Sequence, residues 1–343
     1  MSQETFKGSP IVIEDLPLTE EWDKTFPKSD KVSHRKIRFV NRYGITLAAD
    51  LYEPKDKKEG EKLPALAMAG PFGGVKEQVS GRYAQKLAEN GFLTIAFDPS
   101  FTGESGGYPR AVASPDINTE DFLAAVDYMS TSGEVDPEKI GIIGICGFGG
   151  MGLNAAAVDP RIKAAVTSTM YDMSRLYANG YFDEGDSEKS RHERRAALAR
   201  QRTEDYKNGY YTTHVVNEKP EDLVADAPQF KKDYSHFYRT PIGYAKRSVG
   251  SNNGWNITNP VSFMNMPLET YIDELEAPVL LIHGENAHSR YFSEESYERM
   301  KHSQFGANKK LMIIPGANHT DLYYKMDVIP FDTITEFFKE NLK

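Results

Sequence analysis

Residues 139–150 read Lys-Ile-Gly-Ile-Ile-Gly-Ile-Cys-Gly-Phe-Gly-Gly. The apolar run Ile140 to Ile145 ends on a glycine cluster, and a helical pattern from Leu153 to Val158 follows. A short, unbroken, β-branched run of this kind reads as a strand buried on both faces. Cys146 therefore falls on a strand-to-helix turn. At a strained bend of that type the flanking residues must be small, so that backbone and helix can pack against the nucleophile; Gly144 and Gly147 meet that need. The sulfur is expected above the carboxyl edge of a sheet, where a helix N-terminus lowers a thiol's pKa and favours the reactive thiolate. The other reading is a plain buried cysteine, since free Cys is among the most buried residue types.

Outward from this turn, short apolar strands alternate with helical patterns. Lys36–Val40 and Ile45–Tyr52, joined at Tyr43-Gly44, read as an antiparallel hairpin. Strands follow at Leu63–Ala69, Leu93–Phe97, Ile140–Ile145, Lys163–Thr169, Val279–His283 and Lys310–Ile314. Helices are expected at Ser80–Glu89, at Thr119–Met129 and around Phe331, Ile334, Phe338 and Leu342. Strand–helix alternation implies parallel strands with crossovers. The expected fold class is α/β: a mostly parallel, eight-stranded sheet with helices on both faces. Between Asp172 and about Leu275 the alternation stops, and about a hundred residues of charged helix and Tyr-rich loop intervene, too many for a structureless connection. The division is a 1–35 N-terminal extension, a core of 36–172 with 276–343, and an inserted helical cap at 173–275. Arg191, Arg194, Arg195, Arg200 and Arg202 read as a solvated helix face of that cap.

Composition narrows the function classes. The chain has 343 residues, 39% of them hydrophobic, and a net charge of −9. That sign opposes nucleic-acid binding, and no apolar run reaches the ~18 residues of a membrane span. A single cysteine cannot form an internal disulfide, and the first residues lack a signal-peptide profile. A cytoplasmic location is expected. Asn318-His319-Thr320 is a glycosylation sequon over a candidate site residue, which argues the same way. The expected partner is a small-molecule substrate, with neither nucleic acid nor membrane, and with homo-oligomerisation open.

A thiol nucleophile needs a base. His319 follows the last strand in Gly-Ala-Asn-His-Thr-Asp and should emerge at the same edge as Cys146. Most other histidines read as surface or cap residues. The acid is the irregular member, because Ala287 stands where an HGxxD loop would carry aspartate. Glu285 is the first candidate and Asp172 the alternative; Asp172 equally suits a helix cap. Oxyanion donors are expected from the backbone N–H groups of Gly147 and of Phe72 in Gly70-Pro71-Phe72-Gly73-Gly74. Lys76, Glu77 and Gln78 open the next helix and suit salt bridging or capping as well as substrate contact. The same glycines also satisfy GxGxxG over Gly147–Gly152, with Asp172 about 20 residues on, which is a dinucleotide-binding fingerprint. Its place on a late strand counts against that reading. No metal or other cofactor is expected, since the histidines lack zinc spacing.

Taken in order, GPFGGVKEQ, AFDPSFTGESGG, GICGFGG, YRTPIG, GENAHSRYFSE and GANHTDLYY resemble the α/β-hydrolase superfamily. They are similar, more narrowly, to its cysteine-dependent, dienelactone-hydrolase-related branch and to the capped subgroup of polyketide transferases and X-Pro-dipeptidyl-peptidase-like proteins. The resemblance covers most of the chain from about residue 36. It implies an α/β-hydrolase fold, a Cys146 nucleophile, a His319 base and an oxyanion hole at Phe72 and Gly147. Phe148, where GxCxG has its second glycine, and Ala287 depart from the pattern; Phe148 is expected to narrow the oxyanion pocket. Phe148, Tyr171, Tyr177 and Trp255 are candidate pocket residues, although cap aromatics equally serve to hold cap to sheet. Because a thiolate forms thioesters readily, the expected chemistry is hydrolysis or acyl transfer on ester, lactone or thioester bonds of a small, apolar substrate through a Cys-His-acid triad. The alternatives are a non-catalytic ligand-binding protein on this fold and an NAD(P)-binding oxidoreductase.

Overall fold

A computed structural model describes residues 8–343, so the first seven residues of the expected N-terminal extension lie outside the description. Ten strands occur among the described residues. Eight form the main sheet: β1 (Val32–Val40), β2 (Thr46–Pro54), β3 (Leu63–Ala69), β4 (Leu93–Phe97), β5 (Val135–Ile145), β6 (Ile162–Ser168), β9 (Val279–Gly284) and β10 (Lys309–Ile314). The other two, β7 (Thr213–His214) and β8 (Trp255–Asn256), make a two-residue antiparallel ladder. The main sheet runs β1-β2-β4-β3-β5-β6-β9-β10. β1/β2 and β2/β4 are antiparallel and every other neighbouring pair is parallel.

This order fixes where a site can form. β3 is followed by α1 (Val79–Glu89), which crosses to β4 on one side; β5 is followed by α3 (Gly147–Val158), which crosses to β6 on the other. Right-handed crossovers in opposite directions place the two helices on opposite faces, which makes the carboxyl ends of β3 and β5 the switch point of the sheet. Ala69 pairs with Gly144 across those strands, so Phe72 and Cys146, a few residues farther on, leave the sheet side by side. α2 (Pro115–Thr131) packs with α3, and α11 (Phe331–Asn341) packs with α1. The α11 stripe of Phe331, Ile334 and Phe338 is buried; each Phe contributes about 1.5–3 kcal/mol relative to exposure.

Two helices start earlier than their spacing suggests. α2 begins at Pro115, because the Ser114 hydroxyl accepts from the Ile117 N–H and proline is pre-set for the first turn. α3 begins at Gly147 rather than Leu153, although glycine is a poor helix former. The reason is steric. A Cβ at Gly144 would lie 2.3 Å from the Phe148 oxygen, and one at Gly149 would lie 2.2 Å from the Met170 Cβ.

Between β6 and β9 the chain carries α4 (Met173–Asn179), α5 (Glu188–Asn208), α6 (Gln229–Arg239), α7 (Val249–Asn252) and α8 (Pro260–Phe263), while α9 (Arg290–Lys301) follows β9 and α10 (Asp321–Tyr324) follows β10. The α5 arginines are not uniformly a solvated face. Arg194 donates to the Tyr177 and Ala178 carbonyls at 2.5 and 2.8 Å, tying α5 to the open end of α4, and Arg191 bonds Asn179 and Asp186. No helix among the described residues is long and apolar enough to cross a membrane.

Candidate active site

Cys146 sits between β5 and α3 with φ 56° and ψ −127°, a conformation rarely adopted by a residue with a Cβ and therefore strained. Neighbouring strands and α3 hold it there: its N–H donates to the Ser168 carbonyl at 3.0 Å, and its carbonyl accepts from Gly149 and Tyr171 at 2.8 and 2.9 Å. Around the thiol stand the Tyr323 hydroxyl, the backbone N–H groups of Phe72 and Gly147, and the Tyr234 hydroxyl, each of which favours its ionised form. Two amides from two separate loops thus converge on the sulfur. A Cβ on Gly147 would lie 2.6 Å from the Phe72 Cβ, so only glycine lets the two loops approach this closely.

The expected lowering of the thiol pKa is reversed. Burial, with Cys146 only 7% exposed, raises it above the usual thiol range, and the four polar neighbours oppose that without overcoming it. The helix N-terminus acts on a sulfur cut off from water. The resting group is the neutral thiol.

His319 is buried beyond β10 and faces Tyr323, whose hydroxyl lies 2.9 Å from its Nε2. Tyr323 therefore bridges the imidazole and the sulfur. On its other side, His319 Nδ1 contacts Ser289 Oγ at 2.6 Å and Thr169 Oγ1 at 2.7 Å. Among the described residues, no carboxylate hydrogen-bonds this ring. Glu285 is exposed, and its carboxylate accepts from the Gly316 N–H at 2.7 Å. Asp172 caps α4, accepting from the Ser174 and Arg175 N–H groups at 2.9 and 3.1 Å. Where the sequence suggested an acid, the ring meets two hydroxyls. With no anion beside it, burial and then His288 and His283 lower the His319 pKa well below the ordinary range, and the ring is neutral.

The histidines taken for surface groups include two that belong here. His283, fully buried on β9, and His288, in the loop after it, have ring centroids 6.0 and 5.5 Å from that of His319. His288 Nε2 lies 2.5 Å from the Tyr171 hydroxyl, and its ring stacks on Phe230 at 4.2 Å. Burial lowers its pKa to about 4; burial, followed by His288 and Arg290, lowers that of His283 to about 3. Sequence reasoning passed over Ser289, Thr169, His283, His288 and Tyr323, and took Tyr234 only as one of the cap aromatics that could line a pocket. Tyr323 alone left a signal, four residues after His319 and so one helical turn away.

The candidate pocket residues lie close to this centre. Tyr171 stands 5.3 Å from His319, and Trp255, Tyr177 and Phe148 ring Phe72 at 4.9, 6.2 and 6.3 Å between centroids. The Phe148 ring packs between Phe72 and Phe122. Over His319 and Tyr323 lie Tyr234, Phe237 and Tyr238 of α6, with Tyr234 5.3 Å from His319 and Phe237 5.1 Å from Tyr323.

The glycines of the GxGxxG stretch serve close packing here: a Cβ at Gly147, Gly149 or Gly150 would run into Phe72, Met170 or the Tyr171 carbonyl. Glu77, Asp98 and Glu104 form the acidic cluster close enough for a metal, but the Lys76 ammonium already sits 2.7–2.8 Å from all three. Lys76 and Glu77 thus serve as salt-bridging residues.

The profile of the X-Pro dipeptidyl-peptidase (S15) family matches residues 43–321, a span that includes Cys146 and His319. The chain belongs to that family. It is 57% identical over 328 residues to the uncharacterized protein PA2218 of Pseudomonas aeruginosa, covering 95% of this chain and 86% of that one. The PA2218 crystal structure superposes with a TM-score of 0.90, covering 96% and 99% of the two chains. The family likeness extends to the α/β-hydrolase fold: the α/β hydrolase GrgF of Penicillium sp. sh18 matches with a TM-score of 0.73 at 18% identity, over 90% and 99%. Over a shorter stretch, the chain is 32% identical to the thiohydrolase aneE of Aspergillus aculeatus, covering 40% of this chain and 42% of that protein.

Proposed function

We propose that the chain is a hydrolase or acyltransferase that opens ester, lactone or thioester bonds of a small, apolar substrate through an acyl thioester on Cys146. The observation that carries this reading is the pair of amides, from Phe72 and Gly147, aimed at one sulfur that Tyr323 links to His319. Donors so placed stabilise the negative oxygen of a tetrahedral intermediate. The thiohydrolase likeness supports thioester chemistry in particular.

In this scheme the Cys146 proton passes to the Tyr323 oxygen as the Tyr323 proton passes to His319 Nε2. The sulfur attacks the acyl carbon, and the carbonyl oxygen takes up charge against the two amides. Collapse expels the alcohol or thiol, which takes its proton from His319. Water, or an acceptor alcohol, then attacks the thioester, gives its proton back through His319 and frees the thiol. Because Cys146 is almost wholly buried, α6 is proposed to lift as a lid before substrate enters.

Mass spectrometry after mixing with p-nitrophenyl acyl esters is expected to show one acyl group on Cys146, and Cys146→Ala should lose turnover. Undiminished turnover in that variant would refute the assignment. The rival, a ligand-binding protein without catalysis, is favoured by the burial of the thiol and the absence of a carboxylate at His319. Its signature would be an unacylated Cys146 together with saturable binding of an apolar ester.

A further inference from the structure

The ring of His319 has to present a bare Nε2 to Tyr323 if it is to accept a proton from the thiol side, so its own proton must sit on Nδ1. In triads of known type a carboxylate enforces this, because an anion can only accept. Hydroxyls do not enforce it. Ser289 and Thr169 can each accept from Nδ1–H or donate to a bare Nδ1, and the second choice produces the unproductive tautomer.

One further group decides between them. His283 Nε2 lies 2.9 Å from Ser289 Oγ and 3.4 Å from Thr169 Oγ1, while its Nδ1 lies 2.7 Å from Ser293 Oγ. Both hydroxyls that touch His319 therefore also face the same nitrogen of a second, fully buried imidazole. If His283 carries its proton on Nδ1, donated to Ser293, its Nε2 is an acceptor. It then draws the hydroxyl protons to itself and turns the oxygen lone pairs toward His319. A buried acceptor left unmet carries its full desolvation penalty, which biases the arrangement towards this one.

We infer that His283, through Ser289 and Thr169, is a positioning residue that holds His319 in the Nδ1–H tautomer, doing with two hydroxyls what a carboxylate does elsewhere. This rests on the reading of Cys146 and His319 as nucleophile and base. Unlike a carboxylate, the relay is neutral. It orients the base without stabilising its protonated form.

The test uses the full chain with ring-15N-labelled histidine and long-range 1H–15N spectra near neutral pH. His319 in the wild type should show a protonated Nδ1 and a bare Nε2. In His283→Leu the Nδ1 signal should move toward the bare position, and acylation of Cys146 by a p-nitrophenyl ester should slow by about 10–100-fold, the scale of second-layer orienting groups. His283→Gln keeps an acceptor oxygen near the Nε2 position and should restore both, a rescue that a filler of space would not give. A wild-type His319 protonated on Nε2, or an unchanged tautomer in folded His283→Leu, overturns the inference. Should His283→Leu not fold, the pair Thr169→Val with Ser289→Ala removes both relaying hydroxyls, and an unchanged tautomer there overturns it equally. Failure of wild-type acylation would defeat the proposed function, while the tautomer spectra would still decide this point.

Discussion

Cys146 is held by two opposed effects, and their balance sets its reactivity. Burial penalises the thiolate, while two amides and two phenols favour it; burial is the larger, so the thiol pKa lies above the free-cysteine range. A raised pKa means a smaller thiolate fraction at neutral pH, with the loss made up only as pH climbs past about 8.5. Iodoacetamide should therefore label Cys146 more slowly than free cysteine at pH 7, with a rate still rising above pH 8.5. A labelling rate that levels off below pH 8 would mean that the donors outweigh burial. The same balance explains why the sequence misled here: a helix N-terminus is visible in a sequence, but the depth of burial depends on aromatics contributed by α6 and by Tyr323, far along the chain.

At the scale of elements, the turn between β5 and α3 works because its neighbours leave no room for side chains. Gly144→Ala would put a Cβ 2.3 Å from the Phe148 oxygen. Backbone cannot move aside cheaply, and overpacking of this kind costs about 1–3 kcal/mol or more. Urea unfolding of Gly144→Ala should show a loss in that range, together with loss of Cys146 acylation, because α3 would shift away from the Phe72 loop. Unaltered stability would show that the turn has slack. The strands of the main sheet were legible to within a few residues, since buried parallel strands write themselves as unbroken apolar runs. The start of α3 was not, because its glycines are chosen for close approach and hide the helical pattern.

The whole molecule is held together partly by one buried group of charges. Lys76 is fully buried and contacts Asp98, Glu77 and Glu104. Burial alone would lower its pKa, but Asp98, Glu77, Asp50 and Glu104 overcome that and hold the ammonium charged. The same carboxylates reach separate parts of the chain. Glu104 accepts from the Thr19 N–H at 2.7 Å, Asp50 pairs with Lys24 at 2.6 Å, and Glu77 pairs with Arg247 at 3.0 Å. The N-terminal segment, the sheet and the stretch between β6 and β9 thus meet at one cluster. Lys76→Met would leave three acids without their shared cation, and breaking a buried pair this way costs about 3–5 kcal/mol. The urea midpoint should fall accordingly at pH 7, whereas a change below about 1 kcal/mol would mean that Lys24, Lys36 and Arg247 suffice.

The sequence by itself determined the strands, the alternation that makes the sheet parallel, the bend at Cys146 and the arrival of His319 and Phe72 at the same edge. These follow from local periodicity and from glycine placement, which neighbouring residues settle among themselves. Only the tertiary structure decided what surrounds the two imidazole nitrogens of His319. Ala287 announced that a carboxylate was missing, but Thr169 follows β6 while His283 and Ser289 belong to β9 and the loop after it, and nothing in their spacing brings them to His319. Their contact is a product of sheet order, which places β6 beside β9 and β9 beside β10. Hydrogen bonds between groups so far apart in the chain are set by packing, and packing carries no periodic signature.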